Sequence, residues 1–174
     1  MPPAKRPKPD LPELWKDTLG LYLDVSRKDT GFAVMLGSRL IHYGHRGFEG
    51  YASDGEMLME WYAWLNDMFS AGEYHLLGIE YAPFQRGRAL ELWHNMIAIL
   101  KLAAYSEDKP TIGVHPTQVK MATGARHNAK KPEVIKRVNE AFNLTLDNDN
   151  IADAIGVGMA APSILDGDYR IKWL

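Results

Sequence analysis

The feature that most constrains this chain is a run of three β-prone segments joined by very short connections. Residues 18–26 (TLGLYLDVS) and 30–36 (TGFAVML) are apolar, and a turn at 27–29 separates them. Residues 38–45 form a third segment, which follows the second through Gly37. Connections this short join antiparallel neighbours, because parallel strands need a long crossover. We therefore expect an antiparallel meander of three strands at the beginning of the fold.

Helical and strand patterns alternate after the meander. Ser53 and Glu56 have the spacing of a capping box, which begins a helix that Gly72 ends. The remaining predicted elements are strands at 75–81 and 111–114, helices at 88–105 and 132–142, a polar loop or broken helix at 116–131, and a small-residue helix from the cap residues 147–150 to about 161. This order predicts an α/β domain with a mixed five-stranded sheet, antiparallel in the meander and parallel afterwards, flanked by helices.

The ends and the composition of the chain limit its class. Residues 1–13 contain five prolines and three basic residues, so we expect a disordered leader before a single domain at 14–174. The absence of cysteine excludes a thiol nucleophile and a Cys-ligated metal. No apolar run reaches the roughly 18 residues of a membrane span, and the N-terminus lacks the apolar core of a secretory signal. We therefore expect a cytoplasmic protein without membrane contact.

Charge is distributed unevenly along the chain, although the net charge is only −2. Residues 115–140 contain six lysines or arginines against two acidic residues, and residues 141–174 contain five aspartates against two basic residues. A nuclease needs cations for phosphates and carboxylates for metal, so a basic segment beside an acidic one suits that function. Two solvated faces are the alternative interpretation.

Three acidic residues occupy otherwise apolar segments. Asp24 and Glu80 end predicted buried strands, and Asp153 lies in an Ala-Asp-Ala-Ile run. Buried, unpaired carboxylates are costly, and a shared divalent cation such as Mg²⁺ would stabilise all three. Each can instead be a turn former or an ion-pair partner, and their spacing in the chain does not place them together. Asp149 and Asn150 precede Asp153 by one helical turn, so they are candidates for further oxygen ligands or for helix caps.

Four segments, in order, resemble the motifs of RuvC-type Holliday-junction resolvases of the RNase H-like superfamily. They are residues 19–32 (LGLYLDVSRKDTGF), 76–80 (LLGIE), 116–134 with Pro-x-x-Val-Lys, Thr-Gly and Lys-Pro-Glu-Val elements, and 150–155 (NIADAI). The resemblance implies an RNase H-like fold and a metal-dependent endonuclease that cuts four-way and other branched DNA. It also implies a homodimer, because two symmetric cuts need two active sites. The predicted helices at 57–68 and 88–105 have apolar faces that belong to the core or to that interface.

The resemblance assigns roles to individual residues. Asp24, Glu80 and Asp153 correspond to carboxylates that bind Mg²⁺ or Mn²⁺, with two ions assisting attack by water and leaving a 5′-phosphate. Lys120 and Lys131 correspond to catalytic basic residues near the scissile phosphate. The wider set of predicted DNA contacts is Tyr81, Phe84, Arg86, Arg88, Lys120, Arg126, Lys130 and Lys131.

The sequence departs from the family pattern at three places. Asn150 stands where the family usually has His or Asp, and asparagine offers a carbonyl oxygen but neither a base nor a charge. Asp149 then takes over as ligand, or the second metal is held more weakly, or the chain is catalytically impaired. Val25 stands where bacterial members often have proline, and residues 81–88 differ from the bacterial loop. These departures resemble the bacteriophage branch, which implies the cytoplasm of a bacterial host.

Other functions fit the same residues. A general RNase H-like nuclease acting on flaps or RNA–DNA hybrids would use the same carboxylates. A catalytically impaired junction-binding protein would be consistent with Asn150. An actin-like sugar kinase also pairs an aspartate with a Thr-Gly turn, but this chain is too short for that two-lobed fold. Selective cleavage of branched DNA separates the resolvase from the first two.

Overall fold

A computed structural model describes residues 15–81, 88–165 and 172–173. The strands are β1 (Leu19–Asp24), β2 (Thr30–Leu36), β3 (Arg39–Arg46), β4 (Leu76–Glu80), β5 (Thr111–Val114) and β6 (Lys172–Trp173). The helices are α1 (Asp54–Ala71), α2 (Arg88–Ser106), α3 (Pro116–Ala122), α4 (Lys131–Phe142) and α5 (Asp149–Leu165), and a 3-10 turn at Trp15–Asp17 precedes β1. The predicted leader at 1–13 lies outside the described residues.

The strands form one mixed sheet in the order β3-β2-β1-β4-β5-β6. β1, β2 and β3 pair antiparallel, whereas β1, β4 and β5 pair parallel. The tight connection between β2 and β3 depends on Gly37, whose φ of +55° is a backbone conformation that disfavours side chains. The predicted meander and the parallel strands that follow it are confirmed. Across the described residues, no helix has the length and apolarity needed to cross a membrane.

The sheet gains a sixth strand that the sequence pattern does not predict. β6 pairs antiparallel with β5, placing Trp173 opposite Ile112. Two residues are too few to show the alternation by which a strand is recognised. The predicted five strands are all present, and β6 extends them at one edge.

The structure decides between two alternatives at 116–131 and lengthens the last predicted helix. The segment predicted as a polar loop or a broken helix begins with the short helix α3, where the His115 imidazole accepts a hydrogen bond from the Thr117 N–H and the Gln118 side chain accepts one from the His115 N–H. α5 continues through Pro162 to Leu165 instead of ending near residue 161. Pro162 removes one backbone hydrogen bond, and burial of the preceding residues against the sheet carries the helix past it.

Residues of β1 divide the core into two apolar layers. Leu21 and Leu23 pack in the layer of α1 and α2, and Tyr22 packs in the layer of α5. Phe48 and Trp61 add a perpendicular ring contact to the first layer, with centroids 5.3 Å apart. The alternation follows from strand geometry, in which successive side chains point to opposite faces.

Tyr22 fits its layer because glycines surround the ring. A Cβ at Gly78 would lie 2.6 Å from the ring, and one at Gly158 would lie 2.9 Å from it. The Tyr22 hydroxyl is buried and has no hydrogen-bond partner within the part of the chain that the structure describes. Burial raises the pKa of this hydroxyl above its ordinary value. The ring therefore stabilises the core while its hydroxyl costs free energy.

We expect Tyr22→Phe to stabilise the protein. Removing a buried, unpaired hydroxyl relieves a desolvation cost of about 1–3 kcal/mol and leaves the ring contacts in place. Urea unfolding should show a higher midpoint with an unchanged m-value. Tyr43→Phe is the matched control, because Tyr43 is exposed on β3 and should not change the midpoint. A lower midpoint for Tyr22→Phe would indicate that a buried water satisfies the hydroxyl.

Candidate metal centre

Two of the predicted carboxylates end neighbouring parallel strands. β1 and β4 pair through Leu23 and Ile79, so Asp24 and Glu80 follow one position later, side by side. Leu23 and Ile79 pack in the α1–α2 layer. Because side chains alternate along a strand, Asp24 and Glu80 face the opposite layer, where α5 lies.

Helix α5 brings the third carboxylate to the same place. Ala152 and Ala154 are completely buried, which lets the helix approach the sheet closely beside Asp153. Asp24, Glu80 and Asp153 each offer one carboxylate oxygen, and these oxygens all lie within 4.8 Å of one another. The fold thus brings together three acids that are far apart in the chain.

Burial raises the pKa of all three carboxylates, and the charge of Asp153 adds to this effect at Asp24 and Glu80. Burial and the charge of Asp153 raise the pKa of Asp24 to about 7. Burial and the charges of Asp24 and Asp153 raise the pKa of Glu80 to about 9. Burial raises the pKa of Asp153 to about 6, although the Lys131 charge opposes this. Because their pKa values are raised, these carboxylates keep their protons to a higher pH than usual, and a divalent cation can take the place of those protons. This all-oxygen donor set therefore fits Mg²⁺ or Mn²⁺.

Two predicted lysines flank the carboxylates. The Lys131 ammonium forms an ion pair with Asp149, and this contact raises the pKa of Lys131. The charges of Lys131 and Lys120 both lower the pKa of Asp153, so both lysines lie close to the centre. Asp149 pairs with lysine and is outside the group of three carboxylates. Its charge nevertheless raises the pKa of Asp24 and Asp153.

Asn150 is engaged by another acid. Its Nδ2 donates to the Asp29 Oδ2 at 3.1 Å, and the Asn148 Nδ2 donates to the same oxygen at 2.6 Å. The His45 Nδ1 lies 2.5 Å from the Asp29 Oδ1. The predicted cap role of Asn150 is wrong, since it is the Asn148 side chain that accepts a hydrogen bond from the Ile151 N–H at 3.0 Å. Asn148 directly precedes α5, which is the position from which a cap reaches that amide.

No sequence pattern singles out Asp29, His45 or Asn148 as a group. The Asp29–Asn148 hydrogen bond joins residues 119 positions apart. Local composition predicts a turn at Asp29 and a cap near Asn148, and gives no sign that these two meet. Only a signal that pairs distant positions would have found this network.

The predicted aromatic contact Tyr81 lies away from the carboxylates. Its ring centroid is 5.6 Å from that of Trp93, and the Lys101 ammonium lies 5.9 Å from the Tyr81 centroid. Since Glu80 faces α5, the next residue faces α2. The position of the Tyr81 ring therefore does not support a contact with DNA at the three carboxylates, and this contact stays a prediction.

The other predicted DNA contacts fall into two groups. Arg126 and Lys130 are exposed on the segment between α3 and α4, which leads to Lys131. Phe84 and Arg86 lie outside the described residues, as does the side chain of Arg88.

We expect Mg²⁺ to stabilise the protein more at about pH 8 than at about pH 5.5. The folded pKa of Asp24 lies near 7, above its ordinary value of 3.8. Its protonation therefore contributes stability at low pH, and that stability is lost as pH rises through 7. Mg²⁺ offsets the loss only where protons no longer compete, by about 2.7 kcal/mol at a concentration one hundred times the Kd. Thermal unfolding with and without Mg²⁺ measures this, and equal shifts at both pH values would contradict it.

Comparison with known proteins identifies the fold. No protein-family model and no curated protein matches the chain. The structure of Thermus thermophilus RuvC matches with a TM-score of 0.74 and 19% identity over 89% of this chain and 100% of that one. T. thermophilus RuvC in complex with a Holliday junction substrate matches with a TM-score of 0.76 and 18% identity over 89% and 99% of the two chains.

A eukaryotic structure has the same arrangement. The yeast mitochondrial Holliday junction resolvase Ydc2 matches with a TM-score of 0.63 and 10% identity over 84% of this chain and 78% of that one. The bacteriophage branch and the bacterial cytoplasm stay predictions. These likenesses confirm the predicted architecture, and the chain has the RNase H-like fold of the RuvC-type resolvases.

Proposed function

We propose that the protein is a metal-dependent endonuclease that resolves four-way and other branched DNA junctions, leaving 5′-phosphate nicks. The observation that carries this proposal is the convergence of Asp24, Glu80 and Asp153, whose ligand oxygens lie within 4.8 Å of one another in a RuvC-type fold. One protein with this fold, T. thermophilus RuvC, is known in complex with a Holliday junction substrate, which supports branched DNA as the substrate class.

Asp24, Glu80 and Asp153 are the residues that would hold Mg²⁺ or Mn²⁺. The bound metal would activate water and stabilise the charge on the leaving oxygen. The chain would contribute a partly buried group of three carboxylates, and the raised pKa values of Asp24 and Glu80 mean that a metal would compete there with protons. The expected number of two ions is checked by the stoichiometry of Mn²⁺ binding.

The basic residues around the carboxylates supply the contacts to DNA. Lys131 is exposed, and its pairing with Asp149 keeps its ammonium beside the centre, where it can contact an oxygen of the scissile phosphate. Lys120 is positioned to add a second charge there. Arg126 and Lys130 extend the positive surface to neighbouring phosphates, which position the duplex without selecting its sequence.

Symmetric cutting of a junction requires two centres, so we include a homodimer in the proposal. Met59 and Tyr62 are exposed on α1, and Leu102 and Tyr105 are exposed on α2, although all four are large and apolar or aromatic. α1 and α2 pack against each other, so these residues favour the α1–α2 surface as the interface. Light scattering measures the mass in solution, and a monomer at working concentrations would contradict the dimer.

The proposed function is tested on a labelled four-way junction with Mg²⁺ or Mn²⁺, beside linear duplex, flap and RNA–DNA hybrid of matched sequence. We expect paired, symmetric nicks in the junction and far slower cutting of the other substrates. Equal or faster cutting of flaps or hybrids would replace the resolvase with a general nuclease. Tight junction binding without cutting in either metal would instead indicate a junction-binding protein.

A further inference from the structure

A single carboxylate outside the metal centre links three parts of the fold. Asp29 lies in the turn between β1 and β2. Its two oxygens contact His45 on β3, Asn148 before α5, and Asn150 in the first turn of α5. Its side chain is partly buried, where hydrogen bonds to a charged acceptor are stronger than in water.

The backbone at Gly31, two residues after Asp29, packs directly against α5. A Cβ at Gly31 would overlap the Asn150 carbonyl and would lie 2.8 Å from the Ile151 nitrogen. The start of β2 therefore touches the first turn of α5 directly. Asn148 both donates to Asp29 and caps α5 through the Ile151 N–H, so the Asp29 carboxylate holds the residue that fixes where the helix begins.

We propose that Asp29 is a positioning residue for the metal centre and that Asn150 acts as its hydrogen-bond donor instead of as a metal ligand. Asp153 follows Asn150 by one turn of α5, so fixing the first turn fixes the Asp153 carboxylate relative to Asp24 and Glu80. The catalytic consequence rests on the proposed function, whereas the structural consequence does not.

The contact with Asp29 favours an amide at position 150. The Asn150 Nδ2 donates to a carboxylate oxygen at 3.1 Å. An aspartate there would set two carboxylates against each other at about that distance, which neither tolerates while charged. Exchanging Asn150 for aspartate, one of the two residues usual at this position in the family that the sequence resembles, should therefore weaken the site and not repair it.

The test compares Asp29→Ala, Asp29→Asn and Asn150→Asp with the wild type, and with Asp67→Ala as an exposed control on α1. Mn²⁺ affinity is measured by calorimetry. Asp29→Ala should bind Mn²⁺ roughly 10–100-fold more weakly, the usual loss when a residue that orients a ligand is removed. Asp29→Asn should retain most of the affinity, because its carbonyl can still accept from Asn148 and Asn150. Asn150→Asp should weaken binding, and less so in the Asp29→Asn background.

Two further readouts separate positioning from general damage. Junction affinity in Ca²⁺ and the KM for cleavage should be unchanged in Asp29→Ala, while kcat falls with Mn²⁺ affinity. Amide exchange without metal or DNA should show faster exchange of Ile151 and Ala152 in Asp29→Ala and no change in α1 or α2.

The outcomes that overturn the proposal are distinct from failure of the proposed function. Mn²⁺ affinity that is unchanged in Asp29→Ala, or higher in Asn150→Asp, would overturn it, the second because position 150 would then be a ligand. If the wild type neither binds Mn²⁺ nor cuts junctions, the proposed function fails, and exchange at Ile151 still decides the positioning. If Asp29→Ala does not fold, Asn150→Asp with and without Asp29→Asn provides the same decision.

Discussion

Asp24→Asn is expected to abolish junction cleavage while making the metal-free protein more stable. A carboxylate oxygen of Asp24 lies within 4.8 Å of one of Glu80 and one of Asp153, so the substitution deprives the centre of a ligand. We expect cleavage to fall by at least about a hundredfold, the scale on which preorganised charges act in catalysis. Single-turnover rates on the four-way junction measure this loss.

The stability change has the opposite sign. In the folded protein the pKa of Asp24 is raised to about 7, so at about pH 8 the carboxylate is charged where its surroundings disfavour the charge. Asparagine carries no charge and avoids this cost in free energy. A gain on the order of 2 kcal/mol would raise the Tm by roughly 4–8 °C, and added Mg²⁺ should raise it little further. A rate equal to that of the wild type would remove Asp24 from the mechanism. The Asp24 and Glu80 side chains also share a hydrogen bond, which lowers the pKa of Asp24, and a lower Tm would show that this bond outweighs the cost of the charge.

An exposed aspartate provides the control for both measurements. Asp67 lies on the solvent side of α1, and Asp67→Asn makes the same chemical change far from the three carboxylates. It should leave the cleavage rate, the Tm and the response to Mg²⁺ unchanged. A parallel change in both variants would indicate a general effect of charge.

Gly31→Ala is expected to disrupt the contact between β2 and α5. The added Cβ would overlap the Asn150 carbonyl, and both are backbone-bound, so neither can rotate away. Overpacking of this kind costs about 1–3 kcal/mol, and a clash with backbone should reach the upper end or exceed it. We expect a Tm lowered by roughly 6–12 °C and weakened Mn²⁺ binding, because α5 carries Asp153.

Gly55→Ala is the matched control for that substitution. Gly55 lies in the first turn of α1, where the nearest atom to an added Cβ is the Ser53 Oγ at 3.7 Å, an ordinary contact. The change should be neutral or stabilise the protein by about 0.5–1 kcal/mol through reduced backbone entropy. Thermal unfolding and calorimetry with Mn²⁺ on both variants decide the prediction. Gly31→Ala that matches Gly55→Ala in both measurements would contradict it.

Local sequence determined most of the elements. β2 and β5 begin and end where the apolar runs at 30–36 and 111–114 do, because flanking turn residues and proline interrupt the pattern there. α1 begins after Ser53, whose hydroxyl accepts a hydrogen bond from the Glu56 N–H, as the predicted capping box requires. In a complete capping box the Glu56 carboxylate would accept from the Ser53 N–H, whereas here it accepts from the Ala52 N–H. The sequence pattern did not decide between a loop and a broken helix at α3, because its cap is His115, an uncommon capping residue.

The chemistry of the centre was also present in the sequence, but its geometry was not. Asp24, Glu80 and Asp153 stand out because acids in apolar elements need partners, and that inference requires no coordinates. Their meeting depends on β1 and β4 pairing in parallel and on α5 packing against both strands. Neither is a property of any one segment.

Asn150 shows the difference between what the sequence determines locally and what only the tertiary structure decides. By itself the sequence determined five of the strands described, most of the helix bounds and the three acids, since periodicity and capping act over a few neighbouring residues. Only the tertiary structure decided that Asn148 caps α5 and that Asn150 donates to Asp29, 121 positions away. Hydrogen bonds between distant residues form only after the sheet and helix have packed, so their partners are chosen by the fold as a whole.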